Sequence, residues 1–106
     1  MTDDQYVYRW QDTAHRILGE LISEGRKLGL PPLTWTLATS GALTGQADGL
    51  TGTVETQRAA VTAWADHLGA TVTETPRNGG RISLSAPLTR GGERHGIIRA
   101  ELFLED

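Results

Sequence analysis

Apolar residues in the C-terminal third of the chain fall on every second position, and this parity constrains the fold more than any other feature. Ile82, Leu84 and Ala86 alternate with Arg81, Ser83 and Ser85. Ile98, Ala100, Leu102 and Leu104 likewise alternate with Ile97, Arg99, Glu101 and Phe103. A period of two belongs to a strand with one face buried and the other toward water. Residues 33–38 repeat the pattern, with Leu33, Trp35 and Leu37 inward and Thr34 and Thr36 outward. Over 42–47, Leu43, Gly45 and Ala47 face inward; Thr44 and Gln46 face outward. Gly45 marks a bulge or the close approach of a helix. Over 70–75, Ala70 and Val72 oppose Thr71, Thr73 and Thr75. Five strands are predicted: 33–38, 42–47, 70–75, 81–86 and 97–104.

Two segments carry the helical period instead. Over 6–28, Trp10, Ala14, Ile17, Leu18, Leu21, Gly25 and Leu28 form one stripe. Asp12, Arg16, Glu20, Glu24 and Lys27 run along the other side, where Asp12–Arg16 and Glu24–Lys27 have attractive spacings. Glu20 and Glu24 are read as solvated. Gly29 provides a left-handed cap, and Pro31-Pro32 prevents continuation. Over 55–68 the stripe is Ala60, Val61, Trp64, Ala65 and Leu68, opened by Thr53 or Thr56 and closed by Gly69. Residues 39–41, Asp48-Gly49, 76–80 and the glycine-rich 89–96 read as turns or loops.

The order is α-β-β-α-β-β-β, an α+β chain. With 106 residues, positions 1–106 hold a single domain. The expected architecture is a two-layer sandwich: an antiparallel sheet with two helices on one face and Trp10, Trp35 and Trp64 in the core. Strand order is not fixed by these patterns.

Chemistry is sparse. Without cysteine there is neither a disulfide nor a thiolate metal site. There is no nucleophile elbow, phosphate-binding loop or dinucleotide fingerprint. His15, His67 and His95 stand apart, and His67 sits where a helix-end dipole favours it. The expectation is a non-enzymatic chain with no cofactor and no metal. No apolar run approaches the ~18 residues of a membrane span, and the N-terminus from Met1 to Asp4 is acidic rather than basic. A cytoplasmic protein is expected.

Charge is distributed unevenly. The net charge is -3, yet residues 76–100 carry Arg77, Arg81, Arg90, Arg94 and Arg99 against Glu93 alone. Arg offers a planar fork for carboxylates and phosphates that Lys lacks. Parity leaves a sheet face of threonines, serines, Arg81, Arg99 and Glu101, with Ile97 and Phe103 as its apolar spot. The expected function is a binding or protein-interaction module acting through that face, pairing with itself as a homodimer or with another protein. Its candidate binding residues are Arg77, Arg81, Arg90, Arg94, Arg99 and Phe103. The alternative is an accessory nucleic-acid-associated regulator that contacts phosphates through arginine loops at 76–80 and 89–96.

Two stretches, Leu30-Pro31-Pro32-Leu33-Thr34-Trp35-Thr36-Leu37 and Ala63-Trp64-Ala65-Asp66-His67-Leu68-Gly69-Ala70, resemble small uncharacterised proteins of actinobacteria, often carried on mobile elements. The resemblance spans nearly the whole chain but rests on core and turn residues. It implies no activity and carries over no catalytic residue.

Overall fold

Glycines in the left-handed region end both helices, Gly29 at φ 71° and Gly69 at φ 68°. The computed structural model describes residues 3–47 and 52–104, so Met1, Thr2 and the loop expected at Asp48-Gly49 lie outside the described residues. Helix α1 runs Asp3–Leu28 and helix α2 Val54–Leu68. Thr53, not Thr56, caps α2: its Oγ1 accepts from the Thr56 amide at 3.1 Å. The strands are β1 Thr34–Leu37, β2 Leu43–Gln46, β3 Thr73–Pro76, β4 Arg81–Arg90 and β5 Glu93–Phe103.

They form one five-stranded sheet in the order β1-β2-β5-β4-β3. The sheet is mixed, which corrects the all-antiparallel expectation. Each hairpin is antiparallel, but β2 and β5 run parallel from Leu43↔Gly96 to Gln46↔Arg99. Hairpin turns force antiparallel pairing only between consecutive strands. The contact between β2 and β5 spans a helix and two strands of sequence, so no turn dictates its direction.

The loop expected over 89–96 contracts to a two-residue turn. Gly91 and Gly92 adopt φ 62° and 81°, the left-handed pair that a tight hairpin requires. Pairing therefore persists to Arg90↔Glu93, with a register shift at Leu88/Thr89.

The parity holds. Leu43, Leu84, Leu88, Ile98, Ala100 and Leu102 are buried in one cluster with Ala14, Ile17 and Leu21 of α1 and Ala60, Val61 and Trp64 of α2. Gly45 belongs there because a side chain would collide with Trp35, Leu33 and Ile98, all within 3.0 Å of its would-be Cβ. A strand-side ring, not a helix, demands that glycine. Trp64 is fully buried, and Trp35 packs at the margin of the cluster. Trp10 does not join them: it is 49% exposed, as are Tyr6 at 42% and Tyr8 at 67%. A helix of 26 residues spans about 39 Å, longer than any strand of the sheet, of which the 11-residue β5 reaches about 36 Å. The radius of gyration is 14.8 Å, against about 13 Å for a compact chain of this length. The N-terminal end of the apolar stripe overshoots the core.

Candidate functional site

Strand register assembles the polar parity set into rows. One row crosses all five strands: Thr34, Gln46, Arg99, Ser85 and Thr73. The next contains Thr36, Thr44, Ile97 and Pro87, and on the other flank Glu101, Ser83 and Thr75 stand abreast. These side chains are exposed or half-buried, and none belongs to the buried cluster.

Within this face the polar groups are tied together. Arg77 Nε donates to Ser83 Oγ at 3.1 Å, and Ser83 Oγ lies 2.9 Å from both carboxylate oxygens of Glu101. Arg99 Nη2 donates to Glu101 Oε1 at 2.7 Å. Partial burial raises the Glu101 carboxyl, but the bonds from Ser83 and Arg99 and the charges of Arg99 and Arg81 outweigh it. The group titrates below its ordinary value. Arg81 sits 5.9 Å from the centroid of the Phe103 ring, directly opposite in register. Phe103 is 61% exposed.

Four of the six predicted residues, Arg77, Arg81, Arg99 and Phe103, thus meet on one face. The other two lie elsewhere. Arg94, at the start of β5, donates from Nε to the Gly96 carbonyl at 3.2 Å. Arg90, at the end of β4, reaches the helices: Nη2 donates to Glu24 Oε1 at 2.8 Å, and Nη1 lies 3.7 Å from Glu20.

Glu24 is the residue that local reading missed. It is no solvated partner of Lys27. His67 of α2 approaches the same Oε1 at 2.7 Å, so one carboxylate joins α1, α2 and the β4 terminus. Its signal was present: Glu24 stands three residues after Leu21 and four before Leu28, on the edge of the apolar stripe. The Arg90 hydrogen bond depresses the Glu24 carboxyl most; burial opposes this, and His67 assists. Arg90 is correspondingly raised by its bond to Glu24. A depressed carboxyl contributes stability above its unfolded value, and that contribution is lost as pH falls through the folded value. Glu24→Gln should therefore cost about 1–2 kcal/mol at neutral pH. The deficit should close as pH falls well below 4, where the natural carboxyl is also protonated. Urea midpoints across that range measure it; a deficit independent of pH would contradict the assignment.

Among the described residues no group of three or more His, Asp or Glu is placed to hold a metal ion, and no helix is long and apolar enough to cross a membrane. Comparison with known proteins returns no matching family model, no matching curated protein and no matching solved structure.

Proposed function

We propose that this chain is a non-enzymatic interaction module whose working surface is the open sheet face, and that its partner there is a second copy. In this reading both helices lie on one side of the sheet as a two-layer sandwich, leaving the other side to the partner. The observation that carries it is the strip Arg99, Glu101 and Phe103 along β5: an exposed aromatic beside opposite charges one row apart. A twofold axis through that strip sets Arg99 against the partner's Glu101 and Glu101 against the partner's Arg99, so the surface complements itself. Phe103 and Ile97 supply the apolar contact. Arg77 and Arg81 remain at the rim, where charges govern encounter more than affinity. The composition and the two resembling stretches fit a cytoplasmic protein of an actinobacterium.

Sedimentation tests this. The protein should associate reversibly, and Phe103→Asp should weaken association about tenfold or more, since an added carboxylate meets both a lost apolar contact and Glu101. A natural chain that stays monomeric overturns the reading, as does undiminished association of the variant. Monomers held on heparin at low salt and released steeply by salt would instead favour the nucleic-acid reading, for which three guanidinium groups on one face speak.

A further inference from the structure

Beyond the open face, we infer that a groove at the start of β5 binds a short acidic peptide in extended conformation. The groove, of about 570 Å³, is bordered by Trp10 and Thr13 of α1, Ser40 and Gly41 of the β1–β2 turn, and Arg94 and His95 of β5. Two features shape its occupant.

The first is an unpartnered strand edge. β5 begins at Glu93, but β2 joins it only at Gly96. The chain ahead of β2 turns away: Ala42 gives its carbonyl to the Ala38 amide at 2.9 Å, and its amide lies 3.4 Å from Ser40 Oγ. Among the described residues, no strand pairs with Glu93, Arg94 and His95 on the β2 side. An added strand here continues the line of β2, and an unpaired edge is a template for such addition. Three residues of edge span only about 10 Å, so the backbone alone holds little and side chains must supply the rest.

The second feature is what surrounds that edge. Arg94 is anchored by its Nε on the Gly96 carbonyl, and its two Nη groups find no partner among the described residues. The guanidinium fork is positioned for a carboxylate. Trp10, half-exposed, also lines the groove, and the Tyr6 ring lies 6.3 Å from its own between centroids, tilted by 32°. The overshoot of α1 thus roofs the notch with aromatic surface. A single acidic side chain suits one fork, whereas a polyanion such as nucleic acid needs a row of cations, and the groove is lined by one arginine.

Two capped pentapeptides test it, acetyl-Thr-Val-Glu-Val-Thr-amide and its Lys counterpart, titrated into the isotope-labelled full chain by NMR. The Glu peptide should move the amides of Ala42, Arg94 and His95 and the Trp10 indole, and leave Arg99 and Phe103 still. The Lys peptide should bind at least about fivefold more weakly, and Arg94→Ala should weaken the Glu peptide by a similar factor. Arg94 is exposed, so the variant's retained core dispersion confirms that it folds. Arg94→Lys, which keeps the charge but loses the fork, should fall between. Absent shifts in the groove, equal binding of the Lys peptide, or full binding by Arg94→Ala would each overturn the inference. Thr44 and Ile97 border both surfaces, so the titration is repeated on Phe103→Asp, where the Glu peptide should bind as it does to the natural chain whatever becomes of the open-face dimer.

Discussion

Replacing Trp64 with alanine is expected to remove roughly 3–5 kcal/mol of stability, a large share of the roughly 5–15 kcal/mol that a domain commands. Four elements lean on this one side chain. Trp64 rises from α2 at 2% exposure and lies against Gly25 of α1, where a Cβ would come within 2.9 Å of the ring. Its indole nitrogen donates to the Pro31 carbonyl at 2.7 Å, fixing the segment between α1 and β1. Its ring meets Trp35 of β1 edge-on, 5.6 Å between centroids at 84°. It also meets the His67 ring at 6.1 Å, beside the carboxylate of Glu24. Truncation opens a cavity among groups from separate elements that cannot collapse together, and orphans a carbonyl. The thermal midpoint should fall by more than about 10 °C. Trp64→Phe, which keeps most of the volume but not the N–H, should lose about 1–2 kcal/mol. A loss below 1 kcal/mol for the alanine variant would show that the four elements do not depend on this ring.

Trp64 also illustrates what local patterns disclose. Its place on a helical stripe with Ala60, Val61 and Ala65 marks it for burial without reference to the rest of the chain. The same argument applied to Trp10 fails, because periodicity reports which side of a helix is apolar and not how far the opposing sheet extends. Parity within strands was readable for the same reason that burial of Trp64 was: alternation is a property of one segment. Pairing between β2 and β5 is not such a property, so neither the strand order nor the parallel contact was accessible. The ends of β4 and β5 escaped for a subtler reason. Three glycines in 89–96 look like a flexible loop, yet Gly91 and Gly92 make the tightest kind of turn, and Gly96 lies within a strand.

Of the candidate sites, the grouping of Arg81, Arg99, Glu101 and Phe103 on one side of the sheet was legible because they share a parity. Arg90 shows the opposite case. Its partner Glu24 lies 66 residues away, and charge counting along the chain cannot tell an arginine free to bind from one already bound. The groove was invisible: Trp10, Ser40, Gly41 and Arg94 come from separate segments whose meeting depends on strand order.

Gly96→Ala carries the second large expected effect, and its cause differs from that at any turn. Gly91 and Gly92 are glycines because of backbone angle and have open space around them. Gly96 has no left-handed angle; what it lacks is room. A Cβ there would strike the Leu43 carbonyl, with the Leu43 carbonyl carbon at 2.7 Å and amide nitrogen at 2.8 Å. These are backbone atoms, so no rotamer relieves the contact. The two strands must part at the first pair of the β2–β5 ladder. That ladder alone joins the β1–β2 hairpin to the β3–β4–β5 meander within the sheet. The cost should reach or pass the upper end of the roughly 1–3 kcal/mol typical of overpacking. Hydrogen exchange should locate it: amides of β2 lose protection, while those pairing β4 with β5 retain theirs. Gly19→Ala is the control. It sits inside α1 with nothing within 4 Å, and should gain about 0.5–1 kcal/mol. Uniform loss of protection across the sheet in Gly96→Ala would mean that the two halves unfold as one unit rather than separating at this junction. The close approach of Gly96 to Leu43 also fixes where β2 begins, and so leaves Glu93, Arg94 and His95, among the described residues, without a strand on the edge away from β4. A change that parts the ladder should therefore weaken the acidic-peptide groove more than the Arg81–Phe103 end of the open face, which β4 alone supports.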